Sequence, residues 1–303
     1  MTNRVGDLPR LNIIGCGRVG RALARVWLQH RLVEIGSILN RSWQSSRAAA
    51  AFLGAGCPVE NYAQLPHADL LMISTSDEAL ADCAARWSEA QSQAAGVIVF
   101  HCSGALGAEI LQPAQRHGAS VASLHPVKSF ADPAQAAETF PGTWCGLEGD
   151  PEAVETLRKM LEVCGAKVFI IPPEQKPIYH AGAVFACNYL VALMEVAMEC
   201  LHRAGLRPDE AAQLLQPIVQ ETVGNLFRLG PVRALTGPIV RGEVSVVERE
   251  LRALDAWQPA YGQLYRALGQ LACPLAQSAG LAAPEALQKI RRLLETSSLP
   301  SNE

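Results

Sequence analysis

Glycines stand at 15, 17 and 20 in the stretch Leu11-Asn12-Ile13-Ile14-Gly15-Cys16-Gly17-Arg18-Val19-Gly20, between an apolar run and the helical run Arg21 to Gln29. A dinucleotide diphosphate needs this order. Gly15 permits the tight turn off the strand, Gly17 lets the backbone approach the phosphates, and Gly20 lets the helix pack against the strand. The amides of Arg18, Val19 and Gly20 then open a helix whose N-terminal end attracts an anion. Strand before and helix after supply the context that a bare Gly-x-Gly-x-x-Gly lacks.

The next apolar run, Val33 to Leu39, ends in Asn40-Arg41-Ser42, with Arg47 beyond. An acidic side chain at that strand end would accept hydrogen bonds from the adenosine ribose and repel a 2′-phosphate. An amide, a cation and a hydroxyl stand there instead, and guanidinium donors suit a phosphate. The pattern predicts NADP, with NAD as the alternative.

Three further groups could manage a proton or hold a substrate. Lys176, Tyr179, His180 and Asn188 lie at the start of a long apolar helix. His180 and Asn188 are eight residues apart, roughly 80° around the axis, and line one broad face. Lys176 or His180 would protonate a developing alkoxide, and Asn188, deep in an apolar stretch, demands a polar partner. Ser74, Thr75 and Ser76 follow one strand, His101, Cys102 and Ser103 another, and His125 ends a third. At such edges open parallel sheets bind ligands. Ser74, Thr75, Ser76, Cys102 and Ser103 are assigned to the cofactor, His125 to catalysis and His101 to the substrate. Nothing near Cys102 depresses its thiol, which argues against a covalent nucleophile. Arg241, between glycines in Gly237-Pro238-Ile239-Val240-Arg241-Gly242, would clamp a carboxylate. No His-x-x-x-His pair or carboxylate cluster points to a metal.

These residues need a scaffold. The 303 residues suffice for two domains, and 49% of them are hydrophobic. A net charge of −3 offers nothing to nucleic acid or an anionic membrane. The nine cysteines form no Cys-x-x-Cys pair and predict reduced thiols in the cytoplasm. Met1 to Arg10 lacks the apolar core of a signal peptide. Ala181 to Met194, the longest apolar run, is too short for a membrane span and is broken by Asn188.

Strands at Val33 to Leu39, Pro58 to Gln64, Asp69 to Ile73, Gly96 to Phe100, Val121 to Leu124, Thr143 to Leu147 and Lys167 to Ile171 alternate with helices at Arg47 to Leu53, Glu78 to Ala90 and Pro151 to Cys164. That alternation predicts an α/β, doubly wound parallel sheet over residues 1–172. Residues 173–303 read as all-α, with helices at Ile178 to Ala204, Asp209 to Leu229, Val246 to Leu254, Pro259 to Ala279 and Pro284 to Thr296. A capping box, Ser245 with Glu248, opens the third. The first, apolar on nearly every face, is expected at the centre of its domain.

Taken in order, Gly15-Cys16-Gly17-Arg18-Val19-Gly20, Asn40-Arg41-Ser42, His101-Cys102-Ser103-Gly104, His125-Pro126, Tyr179-His180-Ala181-Gly182-Ala183 with Asn188, and Gly237 to Gly242 resemble a family of Rossmann-type oxidoreductases of largely unassigned substrate. The resemblance spans nearly the whole chain. It implies an N-terminal Rossmann-type NAD(P)-binding domain and an all-α C-terminal domain of the 6-phosphogluconate dehydrogenase type. Relatives are pyrroline-5-carboxylate reductase, ketopantoate reductase, the β-hydroxyacid dehydrogenases and prephenate dehydrogenase. Helical domains pair in several of these, implying a homodimer. In the β-hydroxyacid dehydrogenases and ketopantoate reductase a catalytic Lys precedes an Asn by one helical turn; here Val184 stands one turn before Asn188. Prephenate dehydrogenases carry a His-Pro that His125-Pro126 resembles. The expectation is an NADP-dependent oxidoreductase acting on a small, carboxylate-bearing metabolite. The alternative is a dinucleotide-binding or cofactor-sensing module without turnover.

Overall fold

The structure is a computed structural model of the chain and describes residues 8–91 and 93–295. Expectations for Met1 to Asp7 and for a last helix ending at Thr296 lie outside the described residues. The chain divides into two compact units, Met1–Tyr189 and Leu190–Glu303.

The first unit is built on eight strands: β1 Arg10–Ile14, β2 Glu34–Leu39, β3 Cys57–Val59, β4 Leu70–Ile73, β5 Ile98–His101, β6 Ser120–Val127, β7 Trp144–Gly149 and β8 Lys167–Ile170. Seven α-helices accompany them among the described residues: α1 Arg18–Gln29, α2 Trp43–Leu53, α3 Asp77–Ala90, α4 Gln112–Arg116, α5 Pro133–Glu138, α6 Pro151–Val163 and α7 Lys176–Ala183. The strand order is β3-β2-β1-β4-β5-β6-β7-β8. The central strands β4 and β5 are buried along their whole length, as unbroken apolar runs with helices on both faces should be. Leu11, Ile13, Leu23 and Trp27 fill one side of the sheet, and Leu71, Ile73, Leu80 and Val99 the other.

Two features differ from the expected sheet. The third strand is only Cys57–Val59, and Tyr62–Gln64 forms a 3-10 turn. More consequentially, β7 runs antiparallel to β6 in an otherwise parallel sheet, setting Ser123 opposite Glu148 and His125 opposite Gly146. Apolar periodicity reports burial but not strand direction, so sequence alone gave no sign of the reversal.

The strand order changes direction between β1 and β4, which leave the sheet side by side into Gly15 and Ser74. A crevice opens at such a switch point, beyond the carboxyl ends of the strands. β5 delivers His101 to the same edge, and the last residues of β6 deliver His125.

The second unit holds α8 Tyr189–Arg203 from Leu190 on, α9 Pro208–Leu229, α10 Pro231–Ala234, α11 Pro238–Arg241, α12 Val244–Trp257, α13 Pro259–Ala279 and α14 Pro284–Glu295. Val247, Leu251, Cys273, Ile290 and Leu294 form its main core. The expected capping box at Ser245 is absent: α12 begins at Val244 with Glu243 as its N-cap residue. The expected central helix is also different. A π-helical turn, Val184–Asn188, joins α7 to α8, and no residue of α8 is buried. With its flanks, the helical run Pro173–Arg203 has the length and composition to cross a membrane, which the shorter run between charged residues did not. Val191, Ile218 and Phe227 are among the large apolar side chains that α8 and α9 leave exposed.

Candidate active site

The glycine loop is shaped as its spacing requires. Gly15 has φ +78°, and a Cβ there would stand 2.8 Å from the Thr75 amide nitrogen, so β1 and β4 leave no room for a side chain. A Cβ on Gly20 would run into Ser74 Oγ. Gly17 is different: the nearest atom to its Cβ position is 3.9 Å away, and the residue is exposed. Its neighbours Arg18, Val19 and Gly20 open α1, no side chain caps that helix, and no protein acceptor meets their three amides among the described residues. The result is an open cradle of N–H groups at the positive end of a helix dipole.

Side chains expected to hold the cofactor fall into two groups. Asn40, Ser42, Ser74 and Ser103 are already engaged by the protein. Asn40 accepts from the Cys16 amide at 2.6 Å and donates to the Ser45 carbonyl at 2.9 Å. Ser42 caps α2, and Ser74 Oγ donates to the Gly15 carbonyl at 2.8 Å. Ser103 Oγ accepts from the Ala105 and Leu106 amides at 3.1 and 3.0 Å. These four shape the loops around the cradle. Arg18, Arg41 and Ser76 are exposed, and the Asn40 tether sets Arg41 at the rim of the glycine loop. Thr75 Oγ1 is buried with no partner, an orphan at the switch point itself. Cys102 packs against the core, and burial pushes its thiol up to about 12, which rules it out as a thiolate.

Histidines at the same edge divide likewise. His101 is fully buried and both ring nitrogens are occupied: Nδ1 accepts from the Ser103 amide at 3.1 Å, so Nε2 donates to the Gly107 carbonyl at 3.0 Å. Its assignment to the substrate is therefore corrected. His101 braces the turn after β5, and burial lowers its pKa to about 4.

His125 and His180 meet beside that turn. The two rings lie edge to face with centroids 5.8 Å apart, and the Tyr179 hydroxyl is 2.7 Å from His125 Nδ1. A Cβ on Gly104 would stand 2.5 Å from His180 Nδ1 and 2.7 Å from His125 Nε2, so only glycine leaves the imidazoles in place. Burial, with His180 and Lys176 nearby, lowers the His125 pKa to about 4 and keeps the ring neutral near pH 7. Burial raises the Tyr179 phenol to about 12, so it keeps its proton. A protonated phenol hydrogen-bonded to a neutral imidazole can relay a proton: as one leaves from the imidazole Nε2, the phenol supplies Nδ1, and the phenolate left behind takes a proton back from solvent. His180 Nδ1 is buried without a partner, aimed at the Gly104 backbone. Tyr179 was grouped from sequence with Lys176, His180 and Asn188 without a role of its own, and Gly104 was given none; the register that brings β6 to α7 is what places them.

The assignment of Lys176 to catalysis is corrected, and two other residues stand in surroundings the spacing did not suggest. Lys176 is 1% exposed and spent on internal partners, so it touches no substrate. Asn188 is exposed at the end of the π turn, where the wider turn invalidates the 80° relation to His180. Arg241, on the surface of the second unit, makes a bidentate ion pair with Glu243 at 2.9 Å on both arms. A substrate carboxylate would have to displace Glu243.

A glycine cradle at a switch point, with a histidine and tyrosine cluster on the neighbouring strand edge, defines a class: two-domain chains with the fold of NAD(P)-dependent oxidoreductases. More particularly, residues 5–126 match the model of a Rossmann-like domain and residues 143–272 match that of DUF2520, a domain of unknown function. Among solved structures, protein TM1727 of Thermotoga maritima is similar at 29% identity and TM-score 0.68, over 88% of this chain and 98% of that one. BF3122 of Bacteroides fragilis, a provisionally assigned NADP oxidoreductase, is similar at 23% identity and TM-score 0.73, over 87% and 97%. A reductive aminase of Aspergillus terreus in complex with NADPH and ethyl-5-oxohexanoate is similar at 16% identity and TM-score 0.59, over 95% and 93%. No curated protein matches the chain by sequence.

Proposed function

We propose that the protein is an NADP-dependent oxidoreductase that transfers a hydride to or from a small carbonyl or imine metabolite. The observation that carries this reading is the uncapped start of α1 beside the open face of Gly17. The amides of Arg18, Val19 and Gly20 bind the diphosphate, and Arg41 takes the 2′-phosphate. NADP(H) supplies the hydride chemistry when bound. The chain's own part is to hold the substrate beside Gly104 and move one proton through Tyr179 and His125. The fold that the chain shares with an NADPH-bound reductive aminase supports the cofactor choice. A carboxylate on the substrate was inferred from Arg241, and its pairing with Glu243 removes that support.

A second copy of the chain covers the apolar faces of α8 and α9. Exposed apolar patches mark association sites, and Val191 on α8 and Leu214, Ile218 and Phe227 on α9 are each about half exposed or more. Sedimentation equilibrium should give the mass of a homodimer; a monomer at micromolar concentration would contradict this. The nine cysteines are all free, consistent with a reducing cytoplasm.

Arg41→Ala tests the cofactor assignment. Removing one charge-assisted phosphate partner should weaken NADPH binding about tenfold or more, since such a bond contributes about 1.5–3 kcal/mol, and should leave NADH binding nearly unchanged. Equal losses for the two nucleotides would refute the phosphate role.

A further inference from the structure

Lys176 opens α7 beneath the site, and its ammonium group has three protons and three neighbours. It donates to the Ser103 carbonyl at 3.2 Å and to Ser123 Oγ, and it lies 3.6 Å from Glu148 Oε1. Glu148 is itself 5% exposed and accepts from the Ala108 amide at 2.7 Å. One buried ion pair therefore grips the loop between β5 and α4 at two points, Ser103 and Ala108. Between them lies Gly104, whose backbone faces His125 and His180.

The sheet explains why this strut stands directly behind the imidazoles. Ser123 and His125 are two residues apart on β6 and share a face. Ser123 is opposite Glu148 in the antiparallel pair with β7. Lys176, Tyr179 and His180 follow the three- and four-residue spacing of one side of α7. Lys176 meets Ser123 and Glu148, and one turn on Tyr179 meets His125.

We propose that Lys176, paired with Glu148, is the positioning device of the candidate site: it fixes the Ser103–Gly104 backbone against the two imidazoles and sets the charge behind them. The inference rests on His125 belonging to the reactive site. Lys176 is not the proton donor, because every N–H is committed and the group is sealed from solvent. Its charge works through His125. The groups facing that ring are Tyr179, His180 and Lys176 from α7, with Glu148 behind Lys176 on β7, and Lys176 and His180 both lower the ring's proton affinity.

The test is the titration of His125 by NMR in the labelled full-length protein. Lys176→Met removes the positive charge, and the double variant Lys176→Met with Glu148→Gln removes the whole pair, so that no unpaired charge is left to unfold the protein. In both, the His125 midpoint should rise by about half a unit or more, and exchange of the Ala105 and Leu106 amides should quicken about tenfold. Lys176→Arg keeps the charge and should hold the midpoint near the parent's. A midpoint unmoved in both Met variants overturns the inference, and so does an equal rise in the Arg variant, which would report loosened packing instead. NADPH titration answers separately: a protein that binds no pyridine nucleotide ends the oxidoreductase reading while leaving the His125 shift to be seen.

Discussion

Gly17→Val should fold as the parent does and lose NADPH affinity by at least about 100-fold, near 3 kcal/mol. Gly17 is exposed and nothing lies within 3.8 Å of its Cβ position, the nearest atom being the Gly15 carbonyl oxygen at 3.9 Å. Its φ of −83° is not in the left-handed region that demands glycine. The Cβ of a valine therefore has room, and a poorer residue at the helix cap costs no more than about 1 kcal/mol. Its methyl groups would occupy the space over the amides of Arg18, Val19 and Gly20, where the diphosphate rests. Gly15→Ala is the contrasting case. It places an L side chain at φ +78° and drives it into Thr75, so it should lower the melting temperature and the affinity together. Thermal unfolding beside fluorescence titration with NADPH separates the two. A Gly17→Val protein that binds NADPH like the parent would remove the diphosphate from this loop.

Gly104→Ala should have the second large effect, and on turnover rather than affinity. The new methyl group would stand within 2.5 to 2.8 Å of His180 and His125, so both rings must move. The His125–Tyr179 hydrogen bond is 2.7 Å long and cannot follow a ring displaced by much. Misplacing a proton-transfer group by about 1 Å costs about 100-fold in rate. That loss should appear in kcat with any carbonyl or imine that the parent reduces, while the NADPH dissociation constant moves less than about threefold, well under 1 kcal/mol. The imidazole resonances of His125 and His180 should shift in the variant even without substrate. Unchanged resonances would mean that the two rings do not pack on Gly104.

The difference between these two glycines shows what sequence could and could not tell. Gly15, Gly17 and Gly20 were legible because their work is local: a strand, a turn and a helix follow one another within twenty residues. Strand ends were legible too, so His101, His125 and Thr75 were all placed at the sheet edge where they lie. Which of them is free to meet a ligand was not legible. His101 and His125 look alike in sequence, and only tertiary hydrogen bonds to Gly107 and Ser103 turn one of them into a brace. Lys176 read as a catalyst for the same reason. Its true partner, Glu148, comes from a strand whose antiparallel pairing the apolar pattern could not report. The angle between His180 and Asn188 was misread because a 3.6-residue period was continued through a π turn. The run from Ile178 was read as central because it is apolar all round; α8 is exposed instead.

Calorimetric titration of the full-length protein with NADPH, and with NADH for comparison, tests the central claim most directly. One NADPH should bind per chain, saturably, and about tenfold or more tightly than NADH, a difference of about 1.4 kcal/mol. No saturable binding of either nucleotide would contradict the account at its root.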